Sequence, residues 1–158
     1  MEEKALTDEL YFTFKLGTGK YAVEVTQVKE VLNFESVTKV PKALPYMKGV
    51  MNIRGSVVTV IDLRILFGFE ASGDLADTDI IVTEINRGAE QPITVGLIAD
   101  EVDVVTKLER VHSDSVTFGS MPQRTDFIQA VGKLDDAFVL ILDLGRILAS
   151  IEAELSGK

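Results

Sequence analysis

The sequence repeats itself, and the repeat constrains the fold more than any other feature. Tyr21-Ala-Val-Glu-Val-Thr-Gln-Val-Lys-Glu-Val, running on to Val37, lines up without gaps against Val95-Gly-Leu-Ile-Ala-Asp-Glu-Val-Asp-Val-Val, running on to Val111. Val28 falls opposite Val102, Val31 opposite Val105 and Glu35 opposite Glu109. Further on, Tyr46 to Leu63 runs parallel to Phe127 to Leu144, with Val50 opposite Val131, Ile53 opposite Leu134 and Asp62 opposite Asp143. Each unit therefore reads as several strands ending in an Asp-capped helix. A unit of roughly 65–75 residues has little core of its own, so two such units are expected to share apolar surface. Helical segments do not alternate regularly with strands, which favours small barrels over an α/β sheet. The expected fold class is all-β in the main, one domain over residues 1–158. Within it the first barrel covers about 10–69, the second about 79–142, and a C-terminal helix about 143–155.

Local patterns fill in the units. Leu10, Phe12, Phe14 and Leu16 alternate with Tyr11, Thr13 and Lys15, Gly17-Thr18-Gly19 supplies a tight turn, and Tyr21, Val23 and Val25 resume the alternation. Residues 10–25 thus read as a β-hairpin. Gly17, Gly19 and Ala22 also fit a loose dinucleotide fingerprint, but that motif needs a helix where this sequence has a strand. Thr26 is read as the cap of a short helical turn with Val28, Val31 and Leu32 on one side and Lys29 and Glu30 on the other. Residues 46–63 give two strands around Asn52-Ile53-Arg54-Gly55, and Asp62 caps a short helix of Leu63, Ile65 and Leu66. Glu70 to Asp79 reads as a linker, 80–86 and 93–99 as strands, His112 to Asp126 as an irregular loop, and Phe138 to Leu142 as a buried strand. Asp143 then caps an amphipathic helix with Leu144, Ile147, Leu148, Ile151 and Leu155 along one stripe.

Composition narrows the function classes. The net charge is −9, with 25 acidic against 16 basic residues, a field that repels phosphate backbones and anionic headgroups, so neither nucleic acid nor a membrane is expected as partner. There is no cysteine and one histidine, His112, which removes thiolate chemistry and makes a metal site improbable on ligand number. The start Met1-Glu2-Glu3-Lys4 lacks a signal-peptide core, and no apolar run is long enough to span a bilayer. A cytoplasmic protein without cofactor, metal or catalytic group is the expectation.

Several motifs, in order and spacing, resemble the CheW-like domain: Phe14-Lys-Leu-Gly, Tyr21-Ala-Val-Glu-Val with Val28-Lys-Glu-Val, Gly49-Val-Met-Asn-Ile-Arg-Gly, Val60-Ile-Asp-Leu-Arg, Gly96-Leu-Ile-Ala-Asp-Glu-Val and Ile141-Leu-Asp-Leu. The pairing of Asn-x-Arg-Gly with Asp-Leu-Arg is the most specific part, and the resemblance covers roughly residues 10–150. Thr59, Ala99 and Ala130 depart from the common pattern, at positions that concern local packing. What the resemblance implies is two intertwined five-stranded SH3-like barrels around a common core, acting as an adaptor. The implied partners are the regulatory domain of the histidine kinase CheA, the cytoplasmic tips of methyl-accepting chemoreceptors, and further copies of CheW. CheW-like domains also occur within CheA and CheV, whose additional domains do not fit in 158 residues, so a stand-alone coupling protein is expected.

The same resemblance nominates Val28, Glu30, Val31 and Arg54 as partner-binding residues. Arg54 carries a planar fork suited to an interface. Glu30 is read as a rim charge that sets register, and Val31 as either contact or core. Gly49, Asn52 and Gly55 are read as turn or close-packing residues. Asp135-Asp136, set against the magnesium-binding pair of a phosphoacceptor domain, falls late in the chain at the turn equivalent to Arg54-Gly55 and reads as a solvated hairpin turn.

Overall fold

A computed structural model describes residues 10–69, 75–111 and 125–156. The first half holds β1 (Tyr11–Leu16), β2 (Gly19–Glu24), β3 (Val28–Asn33), β4 (Met47–Ile53), β5 (Ser56–Asp62) and α1 (Leu63–Leu66). The second holds β6 (Asp79–Arg87), β7 (Glu90–Ala99), β8 (Glu101–Thr106), β9 (Glu109–Arg110), β10 (Ile128–Leu134), β11 (Ala137–Leu142) and α2 (Leu144–Ser156). Two curled sheets result, in the orders β8-β1-β2-β11-β10-β9 and β3-β6-β7-β5-β4, and they form two SH3-like barrels.

The repeat maps five strands of the first sheet onto the second, with β8 matching β3, β1 matching β6, β2 matching β7, and β10-β11 matching β4-β5. The place of β9 beside β10 is taken beside β4 by the isolated Thr38–Val50 bridge. The sheets nevertheless cut across the halves. The β1–β2 hairpin of the first half pairs with β8 on one side and, in parallel, with β11 on the other, Tyr21 standing opposite Leu140. The β6–β7 hairpin of the second half pairs likewise with β3 and β5, Val60 opposite Gly96. Each unit thus lends its hairpin to the other unit's strands.

Three apolar clusters follow from this exchange. Tyr11, Ala22, Val139 and Ile141 fill one barrel, and Val60, Ile80, Val82 and Ile98 the other. The largest cluster lies between them and draws on both halves: Phe14, Tyr21, Leu63 and Phe67 meet Leu97, Phe127, Leu142 and Ile147. Asp143 caps α2 by accepting from the Arg146 backbone N–H at 3.0 Å, and Leu144, Ile147, Leu148 and Ile151 are buried. Leu155 lies exposed beyond that stripe. The helix is tied down by Tyr46, whose hydroxyl bonds to Glu154, and by Arg87, 3.3 Å from Glu152.

The structure corrects several local expectations. Both faces of β1 are covered: Tyr11 and Thr13 are buried, Leu10 is exposed, and the Thr13 hydroxyl fills a bulge by bonding to the backbone of Val104 at 2.7 and 3.0 Å. The helical turn stops early, because only Val25–Gln27 forms a 3₁₀ turn and Val28 starts β3. Phe138, expected inside, is 61% exposed because the β11 alternation turns it outward. Within the expected linker, Leu75–Asp77 forms a 3₁₀ turn and Asp79 opens β6; residues 70–74, and 112–124 of the expected loop, lie outside the described residues.

One polar clasp crosses the halves. Asp62 accepts from the Arg64 backbone N–H at 3.0 Å, the expected cap of α1, and its carboxylate also grips the buried Arg64 side chain through Nε and Nη2, both at 3.0 Å. Arg64 Nη1 reaches Asp100 Oδ1 at 3.1 Å, and Asp100 Oδ2 accepts from the Gly17 backbone N–H at 2.7 Å. A helix, the β1–β2 turn and the β7–β8 corner are thereby joined through one guanidinium, whose pKa the Asp62 bonds raise against the cost of burial.

Candidate partner-binding site

The strand assignment of β3 rearranges the nominated residues. A bulge between Val28 and Glu30 interrupts the alternation: Val28, opposite Thr83, faces the central cluster, whereas Glu30 and Leu32, opposite Val82 and Ile80, lie on the other face of the sheet. Val28 packs against the central cluster, whereas Val31 is 36% exposed and is not core.

Arg54 sits in the two-residue turn between β4 and β5, where Ile53 pairs with Ser56. Arg54 and Gly55 have φ of 52° and 87°, the primed turn favoured in hairpins, and the Asn52 side chain accepts from the Gly55 backbone N–H at 3.0 Å. Arginine has no backbone preference for such a position. Its side chain accounts for its place: Nε and Nη2 each donate to a Glu30 carboxylate oxygen at 3.0 Å. β3 and β4 are opposite edges of the same sheet, so this bidentate pair spans the curl and closes the barrel mouth. Thr38 closes the seam further along by a bridge to Val50 on β4. Gly49 permits that approach: its φ is 146°, and a Cβ there would stand 2.2 Å from the Thr38 carbonyl oxygen.

The pair is asymmetric in exposure, with the Arg54 side chain 79% exposed and that of Glu30 21%. The hydrogen bonds from Arg54 hold the Glu30 carboxyl below its ordinary range and raise Arg54 in turn. An open groove lies on each side. One, of about 390 Å³, is lined by Ile53, Val58, Val82 and Thr94; the other, of about 320 Å³, by Leu32, Met51 and Ile53. Val57, 75% exposed, stands on the same hairpin. Polar side chains share both groove linings, Lys29 and Ser56 in the first and Asn33, Glu35 and Asn52 in the second. The surface therefore offers a guanidinium with free donor capacity between grooves of mixed character, an arrangement that can recognise a carboxylate or carbonyl beside an apolar group.

Of the four nominated residues the structure joins Glu30 and Arg54, packs Val28 against the central cluster on the other face of the sheet and leaves Val31 exposed. The groove walls were not nominated, although the alternation of Met51 and Ile53 about Asn52 carries their signal. Arg64 was missed because a helical arginine reads as solvated. Asp135, φ 56°, occupies the hairpin turn equivalent to Arg54 in the repeat. His112 lies outside the described residues. Among the described residues, no group of three His, Cys, Asp or Glu side chains is placed to hold a metal, and no helix is long and apolar enough to cross a membrane.

The CheW-like domain profile matches residues 10–152. The chain belongs to the CheW family. It is 30% identical to the chemotaxis protein CheW of Bacillus subtilis, over 94% of this chain and 92% of that protein. It is 27% identical to that of Klebsiella aerogenes, over 92% of this chain and 84% of that one. Among solved structures, the scaffolding protein TtCheW from Thermoanaerobacter tengcongensis superposes with a TM-score of 0.70 at 30% identity, covering 85% of this chain and 88% of that one. The Arg54–Glu30 pair and the Asp62–Arg64 clasp lie within the matched region.

Proposed function

We propose that this chain is a non-catalytic chemotaxis adaptor in the cytoplasm, coupling methyl-accepting chemoreceptors to the histidine kinase CheA. The observation that carries the reading is the exposed Arg54 fork, held by Glu30 between two open grooves of mixed polar and apolar lining, in a chain of the CheW family. Its left-handed backbone and 79% exposure make Arg54 costly to the fold and available to a partner. Glu30 orients the fork and sets the charge pattern at the rim; Val31 adds an exposed apolar contact, and Val28 anchors the start of β3 in the central cluster.

Affinity for the CheA regulatory domain and for receptor-bearing membranes, beside a melting curve, tests the assignment. Arg54→Ala is expected to weaken at least one partnership by about 2 kcal/mol, more than tenfold, with little change in melting. Glu30→Lys should weaken kinase association in a salt-sensitive way. Parent-like binding of both variants would overturn the site; losses that accompany unfolding would assign these residues to the fold. Incubation with a labelled phosphodonor addresses catalysis, the expected result being no label on Asp135, Asp136 or His112.

A further inference from the structure

Charge is unevenly distributed along this chain. Between Val37 and Ile61 stand four basic residues, Lys39, Lys42, Lys48 and Arg54, and no acidic one, in a protein of net charge −9. The fold gathers them along one edge. Thr38 and Val50 exchange both backbone bonds at 2.9 Å, which lays the segment from Thr38 beside β4. The Lys39 Cα lies 3.2 Å from where a Cβ on Gly49 would stand, and Lys48 is the next residue along β4. Lys39 and Lys42 are exposed and Lys48 partly so. None of the three has a carboxylate partner among the described residues, whereas Arg54 is held by Glu30.

A second observation comes from the backbone. Val40-Pro41-Lys42-Ala43 is a turn closed by the Ala43 N–H on the Val40 carbonyl at 3.3 Å, and Lys42 has φ of 61°. Proline followed by a left-handed residue is the type II pattern, whose third position suits glycine or asparagine. A lysine there gains nothing from the backbone, so its charge is the reason left for its presence. Val40, 44% exposed, and Pro41 add apolar surface beside it.

We infer that the strip formed by Lys39, Lys42 and Lys48 around Val40–Pro41 is a docking surface for an acidic protein segment, one with carboxylates spaced about an apolar side chain. The inference does not depend on the role of the Arg54–Glu30 pair. An acidic peptide fits better than an anionic membrane, because the rest of the chain is more acidic than the whole and would be repelled by an extended negative surface. Lysines on an edge strand can also serve only to discourage edge-to-edge pairing between copies, and the experiment separates that role.

The probe is a fluorescein-labelled peptide of about twelve alternating glutamate and leucine residues, compared by anisotropy with its glutamine counterpart and with phosphatidylserine vesicles. The full chain is expected to bind the glutamate peptide in a salt-sensitive manner. Lys39→Glu with Lys42→Glu should weaken binding more than about tenfold, while Lys107→Glu with Lys133→Glu, an equal charge change at exposed sites, should alter it less than about twofold. Lys42→Gly relieves the left-handed strain, so it should melt no lower than the parent yet bind the peptide less well. The inference is overturned by absent peptide binding in the parent, by equal losses in the two double variants, by parent-like affinity in Lys42→Gly, or by vesicle binding without peptide binding. Unchanged peptide affinity with new self-association in light scattering would overturn it too, in favour of edge protection.

Discussion

Replacing Arg64 with Met removes the guanidinium from the clasp and keeps most of its volume. Asp62, with no exposed surface, is left with a buried carboxylate whose remaining bond comes from the Arg64 backbone N–H. An ion stranded in this way costs about 3–5 kcal/mol, a large share of the roughly 5–15 kcal/mol that holds a domain together. Asp100 loses a partner as well, but it is a third exposed and water can replace the bond, so Asp100→Asn should cost only about 1 kcal/mol. Asp62→Asn combined with Arg64→Met takes away both charges and keeps an oxygen to cap α1. That double variant is expected to recover about 2 kcal/mol or more of the loss. Urea unfolding midpoints at constant slope measure all four proteins. The reasoning fails if Arg64→Met costs less than about 1 kcal/mol, or if the double variant is no more stable than Arg64→Met alone.

Residues 1–69 alone should show no cooperative thermal transition, because β1 and β2 lose β8 and β11 and the central cluster loses half its members; a sharp melt would contradict the exchange of hairpins. Gly49→Ala should cost about 1–3 kcal/mol from the backbone alone, with a further penalty as Thr38 is displaced; denaturant unfolding gives the value, and a neutral result would mean that the Thr38 bridge is dispensable. Since Arg54 lowers the Glu30 pKa, the pair's contribution is present above the ordinary carboxylate range and is lost as pH falls through the lowered value. By NMR titration, Glu30 should protonate at lower pH in the parent than in Arg54→Ala, and equal midpoints would count against the pair in solution.

Much of this architecture is legible in the residues. The repeat announces two matched units, and Asp62 and Asp143 mark helix starts that the structure reproduces. Pairing partners were less accessible, because a repeat describes what a strand looks like and not which neighbour it takes. Val28-x-x-Val31-Leu32 satisfies a helical turn and a short strand alike, and its place beside β6 decided in favour of the strand. Arg54 and Glu30, 24 positions apart, were each nominated, but their contact depends on a sheet curling until opposite edges meet. Arg64 was hidden for a different reason: its acceptors are Asp62, two positions away, and Asp100 in the other half.

The loaned hairpin also bears on synthesis. β1 and β2 leave the ribosome before the other strands described, yet one of their neighbours, β11, begins roughly 120 residues later. At about 5–20 residues per second, that is on the order of 6–24 s during which the β2 edge at Lys20, Tyr21 and Ala22 lacks its native neighbour. The contact order of such a fold is high, so its folding is expected to be slow for its size. A nascent chain of this kind spends that interval as a client for chaperones, and the same unpaired hairpin is a ready donor to a neighbouring chain on a crowded polysome.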